Sequence, residues 1–167
     1  DLRGVDVALL YRPSSFRALE NRTIPIRFPF DTASQTREIL MVKGILFGTD
    51  TLTLFINHWP SRRGGYLASQ PRRMYVASVL RRIVDSVFSS NPGSNILITG
   101  DFNDEPENES IRNVLAASAD TMPFDEKGLY DLMGIRNKSN PEGTIKYRAQ
   151  WSTFDQIIVS GALLHGT

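Results

Sequence analysis

The chain has 167 residues, of which 41% are hydrophobic and 22% are charged, and its 19 basic and 18 acidic residues give a net charge of +1. This composition is typical of one globular domain with a sizeable core. Near-neutrality excludes a general attraction to polyanions, so any phosphate contact must be local. The sequence has no cysteine, which excludes disulfides and thiolate metal sites. No stretch reaches the roughly 18 apolar residues of a membrane span.

The start of the chain lacks the basic segment and the apolar segment of a signal peptide. It also lacks methionine, so we expect that the first residues of the natural protein precede it. These features do not fix the compartment, and a secreted or periplasmic location of the full-length parent stays open. No obligate protein partner is evident.

Two regions in the first third of the chain have the composition of β-strands. Residues 5–11 form a short apolar run that Arg12 and Pro13 end, which predicts a strand. Residues 36–59 are rich in strand-forming side chains and contain a "GTD" turn at 48–50, which predicts a β-hairpin. Both faces of its second strand carry apolar residues, so we expect that strand to be covered on both sides.

A helical period follows between residues 71 and 89. Apolar residues recur there at intervals of three and four, and Pro71 suits a first helical turn. The predicted buried stripe consists of Ala77, Leu80, Ile83, Val84, Val87 and Phe88. A short apolar run at 95–99 then predicts a buried strand.

The last third of the chain gives weaker signals. We predict a second helix at about 107–115, long surface loops at 118–150 and a final strand at 152–160. Strands on both sides of a long helix, with an antiparallel hairpin, indicate a mixed α/β (α+β) fold rather than a wholly parallel sheet. The sequence has no repeat, internal boundary or G-x-G-x-x-G signature, so residues 1–167 are treated as a single domain without a nucleotide-cofactor motif.

Polar side chains stand where three predicted strands end or begin. His58 ends the hairpin, Asp101 and Asn103 follow the strand at 95–99, and Asp155 lies in the final strand region. A carboxylate can bind a divalent cation or take a proton from water, an amide can orient water or a phosphoryl oxygen, and a histidine can donate a proton near neutral pH. Oxygen ligands without cysteine favour Mg²⁺ or Mn²⁺ over zinc.

A structural alternative gives these residues no chemistry. Asp and Asn are common in turns because their short side chains bond to nearby backbone, and a histidine at a strand end is more often structural than catalytic. This alternative predicts that Asp101 and His58 lie far apart. A shared phosphoryl group instead requires their side chains to lie within about 12 Å of each other.

The segments around these residues resemble motifs of a known family, in the family's order. They are "NHWPSR" at 57–62, "ITGDFND" at 98–104 and "WSTFDQIIVS" at 151–160, while "RGVDVALLYRP" at 3–13 and "TREILMV" at 36–42 are similar to its strands. The family is the endonuclease/exonuclease/phosphatase superfamily with the DNase I-like fold. The sequence around residues 57–65 is most similar to that of bacterial members. The resemblance implies a four-layer sandwich of two mixed β-sheets flanked by helices, with the active site where strand-end loops meet.

The resemblance also implies a role for each polar residue. The Asp of "GDFN", Asp101, belongs to the metal centre and helps to activate the attacking water, and Asn103 positions the phosphate or the nucleophile. Asp101 and Asn103 are the implied metal ligands. His58 contacts the scissile phosphate or donates a proton, and Asp155 orients a catalytic histidine. Arg37 resembles an arginine that contacts the substrate phosphate in some members. Arg62, which lies close to the flexible Gly64 and Gly65, and Asn57 are further candidates for phosphate binding.

The implied enzyme is a metal-dependent phosphoesterase, in which Mg²⁺ or Mn²⁺ supports in-line attack of water on a phosphodiester or a phosphomonoester. Two family elements are not in the sequence: the early strand with a metal-binding Glu and the late Ser-Asp-His motif. His165 lacks the Ser-Asp before it and is expected in a loop. We therefore expect the chain to be the central portion of the domain, lacking its N-terminal strands and C-terminal segment, and inactive or very weak by itself.

Two questions about function stay open at this point. The substrate is either a nucleic acid or a small phosphorylated molecule, and a nucleic acid would need basic and aromatic contact residues. The candidates for such contacts are Arg62, Arg63, Arg72, Arg73, Arg148 and Trp151. The alternative from another class is a catalytically inactive binding module that retains the fold, although the chain keeps all four polar residues of the site.

Overall fold

The computed structural model describes residues 4–137 and 142–165. Its main feature is a seven-stranded sheet with the strand order β1-β2-β3-β4-β9-β6-β5, beside a separate ribbon of β7 and β8. The strands are β1 (Phe16–Ile24), β2 (Ile39–Leu46), β3 (Asp50–His58), β4 (Asn95–Asp101), β5 (Ala117–Ser118), β6 (Leu129–Asp131), β7 (Ile145–Tyr147), β8 (Gln150–Ser152) and β9 (Asp155–Ser160). The helices are α1 (Tyr66–Ser90), α2 (Leu132–Asn137) and α3 (Gly161–His165), with a π-helical turn at Ser110–Leu115.

The sheet is mixed, which confirms the mixed α/β class. β1, β2 and β3 pair in antiparallel order, so the hairpin predicted at 36–59 is present. α1 then crosses over to β4, which lies parallel to β3. β9 returns antiparallel to β4 and to β6, and β5 is parallel to β6.

The larger core lies between one face of the sheet and α1. Phe55, Ile96 and Ile98 of the central strands pack with Leu80 and Val84 of α1. Each such side chain contributes about 1.5–3 kcal/mol when fully buried, so this layer fixes the helix on the sheet. A smaller cluster on the opposite face consists of Phe16, Val42, Leu52 and Leu54, and the prediction that the second hairpin strand is covered on both sides is confirmed.

The long helix follows its predicted apolar stripe but begins earlier than predicted. Ala77, Leu80, Val84 and Phe88 are buried, while Ile83 and Val87 pack at the margin of the core. The helix begins at Tyr66, and Pro71 therefore lies inside it rather than in its first turn. A proline costs a helix one backbone hydrogen bond, and packing against the sheet outweighs that cost here.

The N-terminal strand prediction was wrong. Residues 5–11, which the structure describes, contain no strand, and the edge position beside β2 is taken by β1 at Phe16–Ile24. Six of the nine β1 residues between Phe16 and Ile24 are exposed, as suits an edge strand that faces water. The sequence of β1 therefore contains no apolar run like the one that led to the strand prediction at 5–11.

The region at 118–150 is more ordered than predicted. It holds the buried strand β6, the helix α2 and the ribbon strand β7, and β8 begins at its end. The final sheet strand β9 begins at Asp155 rather than at 152, and His165 ends the short helix α3 rather than lying in a loop. The second predicted helix is the π-helical turn at 110–115, shorter than the predicted 107–115.

Of the two large sheets that a four-layer sandwich requires, the described residues supply one, covered by α1 and the π-helical turn on one face. The second face carries the smaller cluster. None of the helices within the described ranges combines the length and the apolar character needed to cross a bilayer.

Candidate active site

Three of the predicted site residues stand in one row across the sheet. In the strand register His58 lies opposite Asp101, and Asp101 lies opposite Asp155. Because aligned residues on neighbouring strands point to the same face, the three side chains emerge together. They share the face of Leu54 and Leu97 and lie on the side of the sheet opposite α1.

The row brings a histidine and a carboxylate into direct contact. His58 Nε2 lies 3.7 Å from Asp101 Oδ2, and both side chains are about one-third exposed, at 29% and 37%. This distance contradicts the structural alternative, which predicted that the two residues lie far apart. The start of β9 meets the end of β4 because these strands are antiparallel, and Asp155 therefore joins them from a distant part of the sequence.

The environment of Asp101 raises the pKa of its carboxyl group. Partial burial is the main cause, and the negative charge of Asp155 adds to it. The backbone N–H of Asn103 and the positive charges of His58 and Arg37 act in the opposite direction. A carboxylate whose pKa lies above its usual value is a stronger proton acceptor, and it stands beside a histidine that can donate.

A tight loop after β4 presents Asn103. Its backbone N–H donates to Asp101 Oδ1 at 2.8 Å, and its side-chain Nδ2 donates to the carbonyl of Trp59 at 3.1 Å. The φ of Asn103 is +50°, a left-handed conformation that asparagine tolerates better than most residues. Asn103 is buried at this point, so the loop is fixed by internal contacts.

Steric contact explains why the residue before Asp101 is a glycine. Gly100 has a φ of +129°, and a Cβ atom there would lie 2.0 Å from the backbone oxygen of Asn57. Real Cβ atoms do not approach backbone oxygens so closely, so β3 and β4 can pair at this point only with glycine. The glycine of the "GDFN" motif is thus explained by strand contact.

The structure places Asn57 inside the fold rather than at the surface of the site. Its Nδ2 donates to the carbonyl of Phe55 at 3.0 Å, and its Oδ1 accepts from Trp59 Nε1 at 3.1 Å. The residue is 2% exposed. These contacts show that Asn57 holds Trp59 in place, and the Trp59 ring packs on Phe102 at a centroid distance of 4.5 Å. They give no support to a direct contact between Asn57 and phosphate.

The two arginines predicted to bind phosphate differ in their surroundings. Arg37 is buried, and its charge acts on Asp101. Arg62 donates to the carbonyl of Asn103 at 2.8 Å and to Asp104 Oδ1 at 3.1 Å. Arg62 therefore supports the loop that carries Asn103, whereas Arg37 lies where a cation stabilises negative charge at the row.

Two of the arginines considered for a nucleic-acid surface have other contacts. Arg73 is fully buried, with Nε 2.8 Å from Asp104 Oδ2, and this excludes it as a surface contact. Arg72 pairs with Asp31 at 2.8 Å. Asp104 was not predicted as a site residue, and its only sequence signal is its place directly after "GDFN".

The ribbon of β7 and β8 presents aromatic and basic side chains. Tyr147 and Trp151 are exposed, Lys146 Nζ lies 5.4 Å from the Trp151 ring centre, and Arg148 Cζ lies 5.3 Å from the Tyr147 ring centre. Thr144, at the base of the ribbon, accepts hydrogen bonds from the backbone N–H groups of Phe154 and Asp155, both at 3.1 Å. The ribbon is therefore tied to the segment that carries Asp155.

The predicted metal ligands are oxygen donors at the end of β4 and in the loop after it. Asp101 would supply a carboxylate and Asn103 an amide oxygen. Mg²⁺ is often bound through one or two carboxylates, with water in its other positions. Among the described residues, no group of three or more His, Asp or Glu side chains is arranged to hold a metal ion.

Comparison with solved structures supports the fold. Truncated TDP2 from Caenorhabditis elegans is similar with a TM-score of 0.61 and 18% identity, over 88% of this chain and 54% of that one. The human Nocturnin catalytic domain with bound sulfate gives a TM-score of 0.62 and 15% identity, over 87% and 48%. A mannosyl-6-phosphatase from Bacteroides thetaiotaomicron gives 0.58 and 15%, over 90% and 55%.

The chain spans about half the length of these structures. A search of curated proteins found no match. The sequence model of the Endonuclease/Exonuclease/phosphatase family matches residues 1–167. This match over the whole sequence shows that the chain belongs to the endonuclease/exonuclease/phosphatase family.

Proposed function

We propose that the protein containing this chain is a Mg²⁺- or Mn²⁺-dependent phosphoesterase that hydrolyses its substrate by in-line attack of water. The observation that carries the proposal is the row of His58, Asp101 and Asp155, in which a histidine and a carboxylate lie 3.7 Å apart. Membership of a family that includes phosphatases and nucleases supports the reaction class. Structures with similar folds include a mannosyl-6-phosphatase.

In this proposal the residues of the row and their neighbours have defined tasks. Asp101 accepts a proton from the attacking water, and its partly exposed carboxylate beside His58 supports this role. His58 donates a proton or a hydrogen bond to the phosphoryl group, and Arg37 offsets the negative charge that develops there. Asn103 and Asp101 hold the divalent cation, which supplies charge stabilisation to the phosphoryl oxygens when bound. Asp155 orients a catalytic histidine.

For the substrate, the ribbon favours the phosphodiester of a single-stranded nucleic acid over a small phosphomonoester. Exposed Tyr147 and Trp151 can stack on bases, and Lys146 and Arg148 can contact the backbone phosphates. The ribbon adjoins Asp155 through Thr144, so a strand bound there would reach the row. Local charge of this kind is compatible with a net charge of only +1.

Hydrolysis of a generic phosphodiester and a generic phosphomonoester by the full-length protein, with and without Mg²⁺ or Mn²⁺, tests the reaction. We expect metal-dependent turnover that Asp101→Ala lowers by about 10²–10⁴-fold, the usual contribution of a proton acceptor. Asp125→Ala, at an exposed carboxylate away from the row, serves as the control and should keep full activity. Absence of turnover in a folded protein would instead support the inactive binding module.

The fluorescence of tryptophan tests the substrate class separately. The chain has two tryptophans, of which Trp59 is buried and Trp151 is exposed, so a bound strand should quench mainly Trp151. We expect oligothymidylate to quench the emission, and Trp151→Phe to remove the quenching. If thymidine monophosphate quenches the emission and oligothymidylate does not, or if oligothymidylate does not quench it even at low salt, the result would point to a small substrate.

A further inference from the structure

A buried carboxylate that the proposed chemistry does not use lies one residue beyond Asn103. The side chain of Asp104 is fully buried. Its Oδ1 is 3.1 Å from Arg62 Nη2, and its Oδ2 is 2.8 Å from Arg73 Nε. Ser110 donates a further hydrogen bond to Oδ2 at 2.6 Å. A charge is tolerated in such a place only when it is paired and hydrogen-bonded, and Asp104 meets both conditions.

Arg62 connects this carboxylate to the loop that presents Asn103. Its guanidinium donates to three acceptors on the same loop: the carbonyl of Asn103 at 2.8 Å, the carboxylate of Asp104 and Asn108 Oδ1 at 2.7 Å. The guanidinium also lies 4.8 Å from the ring centre of Tyr66 and 4.5 Å from that of Phe154. An arginine bound to this many partners has one orientation available, so it is a rigid support and not a mobile surface cation.

Hydrogen bonds from Asp104, Arg62 and Arg73 reach all three segments that carry the row. Arg73 donates to the carbonyl of Pro60 at 3.4 Å, two residues after His58. The backbone carbonyl of Asp104 accepts a hydrogen bond from Gln156 Nε2 at 3.0 Å, and Gln156 follows Asp155 directly. Asp104 thus contacts groups that fix the end of β3, the loop after β4 and the start of β9.

We infer that Asp104 is a positioning residue of the active site: its carboxylate, paired with Arg62 and Arg73, holds Asn103 in its left-handed conformation and thereby aligns Asp101 with His58 and Asp155. A left-handed non-glycine residue persists only where the surroundings fix it, and Asn103 is held on one side by Asp101 and on the other by Arg62. The catalytic half of this inference rests on the phosphoesterase function proposed above, and the structural half does not.

Asp104→Asn in the full-length protein tests the inference, because the amide keeps the shape of the side chain but removes the charge that pairs with two guanidiniums. Asp31→Asn is the matched control, since it breaks the ion pair of Arg72 on the same helix, away from the row. Two quantities are measured: the hydrogen-exchange rate of the Asn103 amide relative to that of Ile98 in the buried β4, and the kinetic constants with a generic phosphate ester.

We expect Asp104→Asn to raise the exchange ratio at least about tenfold, because the loop that holds the Asn103 N–H against Asp101 Oδ1 would open more often. We expect kcat to fall about 100-fold, with KM changed less than about threefold, as for a misplacement of catalytic groups by about 1 Å. Asp31→Asn should change neither quantity. A folded Asp104→Asn protein with an unchanged exchange ratio and an unchanged kcat would overturn the inference and leave Asp104 a merely structural charge.

Arg62→Lys keeps the inference testable should Asp104→Asn fail to fold. Lysine retains the positive charge, but its donors all lie on one nitrogen and cannot reproduce the planar fork by which Nε and Nη2 of Arg62 reach separate acceptors. Arg62 is partly exposed, so the variant is expected to fold. The same rise in the exchange ratio supports the inference, and an unchanged ratio contradicts it. If the parent protein hydrolyses no ester, the proposed function fails, while the exchange ratio still decides whether Asp104 positions the loop.

Discussion

Replacement of Asp131 by asparagine should change the pH dependence of stability in a defined direction. Asp131 ends β6 and is fully buried, and burial raises the pKa of its carboxyl group from 3.8 to about 6. Its Oδ1 accepts hydrogen bonds from the backbone N–H groups of Met133 at 3.0 Å and Gly134 at 3.2 Å. These bonds lower the pKa but do not outweigh the burial, and the negative charge of Glu107 raises it further.

The sign follows from proton binding. The folded state binds a proton at Asp131 more tightly than the unfolded state does, so this group favours folding fully below about pH 4. The contribution is lost as the pH rises to and through about 6. The gap between the two pKa values corresponds to about 3 kcal/mol of free energy of unfolding. Asparagine keeps an oxygen for the two backbone donors and does not titrate, so this loss is absent from the variant.

Urea denaturation of the unsubstituted protein and of Asp131→Asn between pH 4 and pH 8 measures the effect. The difference in free energy of unfolding, variant minus unsubstituted protein, should rise with pH by up to about 3 kcal/mol and level off above pH 7. A cost of burying the new amide nitrogen would shift the whole curve and leave its slope unchanged. Asp125→Asn is the control, because that carboxylate also accepts a backbone hydrogen bond but is exposed. If the difference in free energy of unfolding between Asp131→Asn and the unsubstituted protein does not change with pH, the reasoning is refuted.

Three further substitutions test other parts of the fold, each by urea denaturation. Gly100→Ala should destabilise the protein by at least about 3 kcal/mol, because its Cβ would lie 2.0 Å from the oxygen of Asn57; a loss under about 1 kcal/mol would contradict that contact. Ala116→Gly should stabilise by about 0.5–1 kcal/mol, because Ala116 ends the π-helical turn with a φ of +57°. Asp104→Asn should cost about 3–5 kcal/mol, since it leaves buried charge uncompensated.

The sequence predicted the central elements because their signals are local. The hairpin of β2 and β3, the helix α1 and the strand β4 each combine an apolar period with a turn residue, and each is present. The edge strand β1 and the three-residue strand β6 have no such period. β1 is mostly exposed and β6 is too short to show alternation, so their pairing depends on neighbours that are distant in the sequence.

The candidate site shows the same division. His58, Asp101 and Asp155 could be identified because each is a polar residue at the boundary of an apolar strand, and motif order linked them. Asp104 could not, because an acidic residue after "GDFN" looks like any turn residue until the two arginines that surround it are known. The apolar stripe of α1 likewise gave no sign that Arg73 is buried, since a charged side chain on a helix is usually at the surface.

The row of catalytic candidates depends on strand register. Side chains alternate between the faces of a strand, so a slip of one residue between β4 and β9 would turn Asp155 toward the face that α1 covers. Gly100 opposes such a slip between β3 and β4, because the close approach at Asn57 is possible only where glycine stands. Thr99, whose hydroxyl donates to the carbonyl of Gln156 at 2.9 Å, fixes β4 against β9 in the same way. Two residues with no chemistry of their own therefore determine whether His58, Asp101 and Asp155 meet.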